Sequence, residues 1–332
     1  MIVIDADVLG RHRTGDETYV SNLLRELPAV APDLRFGAVT RHPELVPAGV
    51  EPIVLPARLQ ELRMAVFLPR LLRRLRPELA HFQHALPLGF RGRAVVTLHD
   101  LSFEYADGGM GRLERRVFKT VVPRAARRAD RVLVVSERTR RDVVSLYGVP
   151  EAKVTVTRNG VDPSFSPGGR HDGYILFVGA IQARKSPLAA LEAARAVGLP
   201  LVVAGPEKDP ALARALREAG ADLRGYVTKE ELAELYRGAA ALALPSRFEG
   251  FGLPVLEAMA CGTPVIAAAE PALREVGGDA AIYAEGGDFA SAARRALADG
   301  ARLSAAGIER AKLFSWAETA RLTAAVYREV LA

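Results

Sequence analysis

Short apolar runs alternate with longer amphipathic stretches along the whole chain. The first half contains seven such runs, which read MIVIDA, RFGAVT, PIVLP, LAHFQH, AVVTLHD, RVLVVS and VTVTRNG. The second half restarts the series with YILFVGA, LPLVVAG, ADLRGYV, ALALPS, TPVIAA and AAIYAE. Short apolar strands separated by helical patterns are typical of α/β proteins with mainly parallel sheets. Two complete series therefore predict two similar domains.

The segment between the two series, NGVDPSFSPGGRHDG over residues 159–173, is rich in Gly, Pro and Ser, as a linker should be. We therefore predict an N-terminal domain over residues 1–163 and a C-terminal domain over residues 164–314. The tail over residues 315–332 reads as one amphipathic helix opened by Ser315.

Polar residues mark the starts of several predicted helices. Helices are expected over Tyr19–Leu27 and Arg138–Tyr147, and Ser136 is placed to cap the second. Thr228 and Glu231 have the spacing of a capping box, in which each side chain bonds the backbone of the other residue.

Positive charge is concentrated in the first half of the chain. Residues 1–166 carry 26 Lys and Arg against 19 Asp and Glu, whereas residues 167–332 carry 19 against 20. Two arginine-rich stretches, residues 58–78 and 112–131, mix Arg with Leu, Val and Phe at helical spacing, as interfacial helices do. They are either solvated faces of helices packed on a sheet or a surface for an anionic membrane or acceptor. No recognition module accompanies the charge, so nucleic acid is not an expected partner.

The sequence also bears on location. No run approaches 18 consecutive apolar residues, so no helix is expected to span a bilayer. The start, MIVIDADVLG, has acids within its apolar run and lacks a basic region, so we interpret it as a strand and not a signal peptide. The single cysteine, Cys261, excludes an intramolecular disulfide. A cytoplasmic location is expected, and peripheral contact with the inner face of the membrane stays open.

Ligands are expected at the turns that follow the strands, because open α/β sheets bind ligands at the carboxyl ends of their strands. The turn RFEGFG follows the strand ALALPS and leads into a helix with Pro254 at its start. Gly250 and Gly252 allow close approach of the backbone to a ligand. Glu249 before the helix and Glu257, expected in its first turn, are acceptor-only groups that suit sugar hydroxyls. The alternative is a surface acid together with a carboxylate that complements the helix dipole.

A second unusual turn lies in FVGAIQARKSP. Gly179 ends a strand, Arg184 and Lys185 follow, and Ser186 is expected to cap a helix that begins at Pro187. Two cations beside a helix N-terminus suit a diphosphate, because amides and fixed positive charge act together. An exposed basic turn is the alternative. The spacing does not match a P-loop.

A third turn, in VVTLHDLSF, places His99 and Asp100 after a strand of the N-terminal domain. A histidine there can orient a hydroxyl or exchange a proton with it, although a structural histidine is an equal alternative. Gly15 is expected in the loop before the first helix, next to Asp16 and Glu17. The sequence shows no cluster of His, Asp and Cys with metal-ligand spacing, so no metal is expected.

These motifs carry a family resemblance. PSRFEGFGLPVLEAMACGTPVIAA resembles the E-x7-E signature of retaining glycosyltransferases of family 4, which have the GT-B fold. The likeness continues in order, over nearly the whole chain, through FVGAIQARKSP, LRGYVTKEELAELYRGAAAL, VVTLHDLSF, VLVVSERTRRDVVSLYGVP, VTRNGVDPSF and FSWAETA. It implies two Rossmann-like domains facing a central cleft, with the C-terminal helix returning to the N-terminal domain.

The resemblance also implies a reaction. A hexosyl group, with mannosyl or glucosyl favoured, would pass from a nucleotide-diphosphate sugar to an acceptor hydroxyl with retention of configuration. A GDP- or UDP-sugar would be the co-substrate, and neither a metal nor another cofactor is implied. The acceptor would be a glycan, a lipid-linked molecule or a small molecule.

Roles carry over to matching residues of this chain. The implied catalytic residues are His99, Glu249, Arg184 and Lys185. The donor would be held by Gly15, Gly179, Arg184, Lys185, Tyr226, Val227, Glu249, Gly250, Phe251, Gly252, Leu253 and Glu257. The acceptor would meet Asp16, Glu17, His99 and Asp100. Among these, Glu249 would bind the donor sugar and Glu257 would bind the ribose. Arg184 and Lys185 would bind the diphosphate, and the backbone near Tyr226 and Val227 would meet the base.

The chain departs from the family pattern at two points. Ala180 follows the glycine of FVGA, where many members have an arginine, and the first loop reads TGDET where many have a Gly-Ile-Gly type sequence. Two other functions stay open: a GT-B nucleotide-sugar epimerase or phosphorolytic enzyme, and a nucleotide-sugar-binding protein without catalysis.

Overall fold

The computed structural model describes most of the chain, namely residues 1–11, 14–57, 59–105, 110–168 and 173–332, with the Thr14 side chain excepted. The last part of the expected linker, residues 169–172, therefore lies outside the described residues. Among the described helices, none combines the length and the apolar character needed to cross a membrane.

The chain folds into two compact units. The first comprises Met1–Leu101, Gly111–Gly160 and Trp316–Ala332, and the second comprises Ser102–Met110 and Val161–Ser315. The sequence pattern placed the boundaries after residues 163 and 314 and did not separate the short segment at residues 102–110.

The first unit is built on a seven-stranded parallel sheet in the order β3-β2-β1-β4-β5-β6-β7. Its strands are β1 (Ile2–Asp5), β2 (Phe36–Thr40), β3 (Val50–Val54), β4 (Leu79–Gln83), β5 (Ala94–Leu98), β6 (Arg131–Val134) and β7 (Val154–Val156). Strands β1, β2, β5 and most of β4 are buried throughout, which explains their continuous apolar runs.

The helices of the first unit are α1 (Thr14–Val30), α2 (Gln60–Leu62), α3 (Leu68–Leu75), α4 (Arg112–Arg128), α5 (Glu137–Tyr147) and α13 (Trp316–Leu331), and a π-helical stretch (Arg63–Phe67) joins α2 to α3. Helix α5 confirms the predicted cap, because the Ser136 side chain accepts a hydrogen bond from the backbone of Thr139. Helix α1 begins five residues before the predicted start, which places Gly15 inside its first turn and not in a loop. Asp16 and Glu17 favour this earlier start, since acids complement the dipole at a helix N-terminus.

The last helix, α13, packs on the first unit. The Tyr327 hydroxyl lies 2.6 Å from His81 Nδ1 on β4, and the Thr319 hydroxyl donates to the carbonyl of Arg158 over 2.5 Å. The ring of Trp316 meets Tyr19 edge-on at 6.2 Å. These contacts hold the C-terminal segment to the N-terminal sheet, as the family resemblance implied.

The second unit is built on a six-stranded parallel sheet in the order β10-β9-β8-β11-β12-β13. Its strands are β8 (Tyr174–Val178), β9 (Leu201–Ala204), β10 (Asp222–Gly225), β11 (Ala239–Leu244), β12 (Val265–Ala268) and β13 (Ala281–Ala284). Its helices are α6 (Pro187–Ala196), α7 (Pro210–Glu218), α8 (Lys229–Gly238), α9 (Leu253–Ala260), α10 (Pro271–Gly277), α11 (Phe289–Ala298) and α12 (Gly300–Ala311). The capping box of α8 forms as predicted between Thr228 and Glu231.

Each sheet has a reversal point, which is the position where successive strands stop being added on one side of the first strand and start being added on its other side. In the first unit the chain moves outward from β1 to β3 and then returns to place β4 on the other side of β1. In the second unit it moves outward from β8 to β10 and then places β11 on the other side of β8. Turns that leave two strands in opposite directions open a crevice at the carboxyl edge, where open α/β sheets bind their ligands.

Candidate functional site

The reversal point of the second unit brings together two turns that are distant in sequence. Strand β8 is followed by Gly179 and by a short 3₁₀ turn over Ala183–Lys185, and β11 is followed by the turn that leads to α9. A backbone bond joins the two turns, because the amide of Arg247 donates to the carbonyl of Arg184 over 3.0 Å.

Lys185 and Glu249 form an ion pair between these turns. Lys185 Nζ lies 2.5 Å from Glu249 Oε1, and the two side chains are only 13% and 10% exposed. Burial alone would raise the pKa of Glu249, but the charges of Lys185 and Arg184 outweigh it and hold the pKa below its ordinary value. Glu249 is therefore ionised at neutral pH.

Arg184 is fixed by the same turn. One guanidinium nitrogen, Nη1, donates to the carbonyl of Phe248 over 2.5 Å, and Nε is buried without a hydrogen-bond partner in the described part of the chain. Ser246, a buried residue of the segment between β11 and α9, further lowers the pKa of Glu249. The site thus holds two cations and one carboxylate at the carboxyl edge of the sheet.

Gly252 ends the turn as the residue before α9. Its φ of +108° is in the left-handed region, and a Cβ there would stand 2.7 Å from Leu273 Cδ2. Only glycine fits this position without strain. Leu253 and Pro254 then open the helix as predicted, whereas the Phe251 side chain is buried and meets Phe314 edge-on at 6.0 Å.

Glu257 is not in the first turn of α9, as the sequence pattern suggested, because the helix begins at Leu253 and Glu257 is its fifth residue. Its carboxyl instead accepts a hydrogen bond of 2.8 Å from the hydroxyl of Tyr236 on α8. Burial raises the pKa of Glu257 to about 7, even though Tyr236 and Lys229 act in the opposite direction. This carboxyl therefore carries its proton in part at neutral pH.

Three neighbouring strands of the second sheet are followed or ended by glycines with positive φ, namely Gly179, Gly205 and Gly225. A Cβ on Gly205 would lie 2.2 Å from the carbonyl oxygen of Gly179, so the two backbones approach too closely for any side chain. Beyond β10, Tyr226 is 58% exposed and Val227 is partly exposed.

Ser186 stands directly before α6, but it does not cap the helix as predicted. Its side chain makes no capping hydrogen bond, and its φ of +48° is left-handed. The hydroxyl instead donates to the carbonyl of Ala183 over 3.3 Å. A non-glycine residue in this conformation is uncommon and is found where the surrounding structure imposes it.

His99 lies at the carboxyl edge of the first sheet, directly after β5. Its Nε2 is 2.8 Å from the side-chain oxygen of Gln83, and the ring of Tyr19 meets it edge-on at 4.7 Å. Burial lowers the pKa of His99 to about 4, while the charges of Asp16 and Asp100 act against that shift. His99 is therefore neutral at neutral pH.

His84 and Asp16 join His99 at the reversal point of the first unit. His84 follows β4, has a left-handed backbone with a φ of +60°, and places Nε2 3.6 Å from Asp16 Oδ2. One nitrogen or oxygen atom from each of the three residues lies within 4.8 Å of the other two. The three residues are far apart in the sequence, so the lack of metal-ligand spacing there did not reveal that the fold brings them together.

The remaining predicted residues of the first unit do not all face this cluster. Glu17 accepts a hydrogen bond of 2.7 Å from the amide of Gly10, so its carboxylate secures the turn before α1. Gly15 is exposed, and a Cβ there would meet nothing within 4 Å among the described residues, so none of these requires glycine. Asp100 is partly exposed beside His99.

A buried ion cluster supports the end of β1. Arg63 is 1% exposed and donates from Nη1 to Asp5 Oδ2 over 3.1 Å, and its Nε lies 3.5 Å from Asp7 Oδ1. Arg41 donates to the same Asp7 oxygen over 3.0 Å. Sequence reasoning missed this cluster and also Gln83, His84, Ser246, Gly205 and Tyr236. For His84 a signal existed, since HFQH and VTLH both end an apolar run in histidine.

Comparisons with known proteins agree with this architecture. The family model described as Glycosyltransferase Family 4 matches residues 13–165, and the model described as Glycosyl transferases group 1 matches residues 172–299. O-antigen chain mannosyltransferase B of Escherichia coli is 29% identical over 267 residues, which cover 71% of this chain and 70% of that protein. D-inositol 3-phosphate glycosyltransferase of Kineococcus radiotolerans is 35% identical over 251 residues, which cover 61% of this chain but only 58% of that enzyme.

Solved structures show the same fold over the full chain. Sucrose-phosphate synthase of Thermosynechococcus elongatus aligns with a TM-score of 0.77 at 22% identity, covering 99% of this chain and 98% of that one. HepE of Anabaena, solved with UDP and glucose, aligns with a TM-score of 0.76 at 15% identity, covering 99% and 100%. The predicted α/β class and GT-B fold are confirmed.

Proposed function

The chain belongs to glycosyltransferase family 4, and we propose that it transfers a hexosyl group from a nucleotide-diphosphate sugar to an acceptor hydroxyl with retention of configuration. The similarity to a mannosyltransferase supports mannose as the sugar, with glucose as the alternative. GDP or UDP is the proposed carrier. The acceptor is a glycan, a lipid-linked molecule or a small molecule.

The observation that carries this proposal is the Lys185–Glu249 pair at the reversal point of the second sheet. A nucleotide sugar presents an anionic diphosphate directly next to a ring of hydroxyls. A cation binds the diphosphate, and an ionised carboxylate accepts hydrogen bonds from the hydroxyls. The site holds both, within one ion pair, at the sheet edge where such ligands bind.

The proposed reaction breaks the bond between the anomeric carbon and the diphosphate oxygen, and that oxygen keeps the electron pair. The acceptor oxygen bonds to the anomeric carbon on the same face, and its proton passes to the departing phosphate. Negative charge therefore grows on the diphosphate. Arg184 and Lys185, with the amides at the start of α6, would stabilise that charge. The proposed reaction needs no metal.

In this proposal the first unit supplies the acceptor side. His99 is neutral at neutral pH and is held by Gln83 and Tyr19, so its Nδ1 can accept a hydrogen bond from a hydroxyl in a fixed orientation. Asp16 lies within reach of the same point.

A thermal-shift panel of GDP-, UDP-, ADP- and dTDP-sugars with their free diphosphates tests the donor assignment. A ligand at about 100 times its dissociation constant adds about 2.7 kcal/mol of stability, which corresponds to a shift of several degrees. A thermal shift caused by the ligands of one nucleotide base, and a smaller shift in Lys185→Ala, supports the proposal. Stabilisation by none of them contradicts the donor site.

Product analysis then separates the alternative functions. Incubation with the stabilising donor and candidate acceptors should give a glycoside of retained configuration, read from the anomeric coupling in NMR spectra. A changed sugar on the same nucleotide, formed without acceptor, would identify an epimerase. Binding without any turnover would identify a nucleotide-sugar-binding protein.

We also propose that the first unit contacts an anionic membrane from the cytoplasmic side. Apolar side chains on its arginine-rich helical segments are exposed: Leu62 is 47% exposed, Phe67 44%, Leu113 79% and Val117 49%. Basic amphipathic helices bind such surfaces by apolar insertion and by attraction to anionic lipids. Leu113→Glu should weaken binding to vesicles that contain anionic lipid, and added salt should weaken it further. Equal binding to neutral and anionic vesicles would contradict the proposal.

A further inference from the structure

The cluster at the reversal point of the first unit has the composition of a metal site. Strands β1, β4 and β5 are neighbours in the sheet, and each is followed at its carboxyl end by one member: Asp16 at the start of α1, His84 after β4 and His99 after β5. One oxygen and two imidazole nitrogens are ligand atoms that zinc accepts.

The separations match that chemistry. Tetrahedral zinc with bonds of about 2.0–2.2 Å to nitrogen and oxygen places its ligand atoms roughly 3.4 Å apart. His84 Nε2 and Asp16 Oδ2 are 3.6 Å apart, which is longer than a hydrogen bond but close to this spacing. One nitrogen or oxygen atom of each residue lies within 4.8 Å of the other two, so closing such a pair to roughly 3.4 Å takes side-chain movements on the order of 1 Å.

The surroundings of His99 favour a defined ligand atom. The Gln83 side-chain oxygen, 2.8 Å from Nε2, can only accept a hydrogen bond, so Nε2 carries the proton and Nδ1 keeps a free lone pair. Metal-binding histidines nearly always donate their other N–H to such an acceptor. Tyr19 packs edge-on against the same ring and fixes its plane.

The backbone of His84 supports the same conclusion. Its left-handed φ of +60° is unusual for a residue with a side chain, and strain of this kind clusters at functional sites. The amide of His84 donates to the carbonyl of Thr97 over 2.9 Å, which ties the strained residue to the neighbouring strand β5. The backbone of His84 is therefore held between strands β4 and β5.

We propose that Asp16, His84 and His99 bind one divalent transition-metal cation, of which Zn²⁺ is the best match, with a fourth position open to water or substrate. A bound ion would occupy the lone pair of His99, so it should inhibit sugar transfer. This consequence rests on the proposed function, whereas the binding itself does not.

Isothermal titration of the full chain with ZnCl₂, after treatment with a chelator, tests the binding directly. We expect a micromolar or tighter site in the wild type, weakened at least about tenfold in His84→Ala and in Asp16→Asn. His42→Ala is the matched control, because His42 is an exposed histidine of the same unit, 3.0 Å from Glu44. Its titration should equal that of the wild type.

Two results would overturn the site: no zinc binding by the wild type, or unchanged binding in His84→Ala while thermal unfolding shows that the variant is folded. Transfer assays with and without zinc then test the consequence. Zinc binding in a protein that transfers no sugar would refute the proposed function and leave the metal site standing. Transfer that is insensitive to saturating zinc would refute the inhibition alone.

Discussion

Replacement of Lys185 by methionine removes one charge from a buried ion pair and keeps most of the side-chain volume. In the wild type the Lys185 and Glu249 side chains are 13% and 10% exposed, and their charged atoms are 2.5 Å apart. Loss of the cation leaves the carboxylate of Glu249 buried, with Arg184 as the remaining positive charge nearby. The substitution should therefore affect both stability and turnover.

The size of each effect follows from this geometry. Removal of one partner from a buried ion pair costs about 3–5 kcal/mol, and the remaining charge of Arg184 places the expected loss near the lower end. Loss of a pre-organised donor to a developing charge lowers turnover by roughly two to three powers of ten. The two losses have different origins and can be separated.

The double variant Lys185→Met/Glu249→Gln separates them. It removes both charges, so the free energy of unfolding in urea should return to within about 1–2 kcal/mol of the wild type. Turnover should stay low, because the diphosphate still lacks its cation. Lys312→Met is the control, since Lys312 pairs with Glu309 at 2.6 Å but both side chains are more than 60% exposed. It should change stability by no more than about 1 kcal/mol and leave turnover normal.

Two outcomes would refute this reasoning. If Lys185→Met unfolds at the wild-type urea concentration, the pair does not stabilise the second unit. If the variant is folded and turns over the donor at a near-normal rate, Lys185 does not stabilise the diphosphate. A double variant that regains both stability and turnover would also contradict the assignment, because the charge could not then be needed for the reaction.

Three further predictions concern other parts of the site. The pKa of Glu257 is about 7 in the folded state and 4.5 ordinarily, so the folded state favours the protonated carboxyl. The stability that this carboxyl contributes is complete below pH 4.5 and is lost as pH rises through 7. The free energy of unfolding of Glu257→Gln should therefore rise relative to that of the wild type between pH 5 and 8, by on the order of 3 kcal/mol. A difference in urea unfolding that does not change with pH would contradict this. Tyr327→Phe leaves Nδ1 of the buried His81 without its partner and should destabilise the first unit by about 1–3 kcal/mol; unchanged hydrogen exchange in β4 would contradict it. Gly205→Ala places a Cβ 2.2 Å from the carbonyl oxygen of Gly179, so donor-induced thermal stabilisation should be lost, and a normal shift would show that this edge adapts.

The hydrophobic pattern was sufficient to predict the strands. Each of the thirteen described strands overlaps a run that the pattern singled out. The inner strands do so because parallel strands buried on both faces read as continuous apolar segments, whereas the edge strands β3 and β10 are partly exposed. Helix starts were less predictable. Helix α1 begins at Thr14, earlier than its apolar pattern, because acids and a glycine in its first turn contribute no apolar periodicity.

The pairs within the site were harder to predict than the residues. Lys185 and Glu249 were both singled out, but their ion pair joins residues 64 positions apart and depends on β11 lying next to β8. His84 and Asp16 meet because β4 lies next to β1. Periodicity reports local burial and contains no information on strand order. The partner of a polar residue therefore becomes visible only once the sheet is assembled.

In the proposed donor site, the Lys185–Glu249 pair also accounts for two charged groups at this depth. Two isolated ionised groups at this depth would each lose hydration without compensation. As a pair they neutralise each other, and the ion pair holds both side chains in place. A donor that contacts both groups exchanges partners with them and does not have to desolvate them again. Pre-organisation of this kind leaves more of the binding energy for the developing charge of the transition state, where it increases the rate.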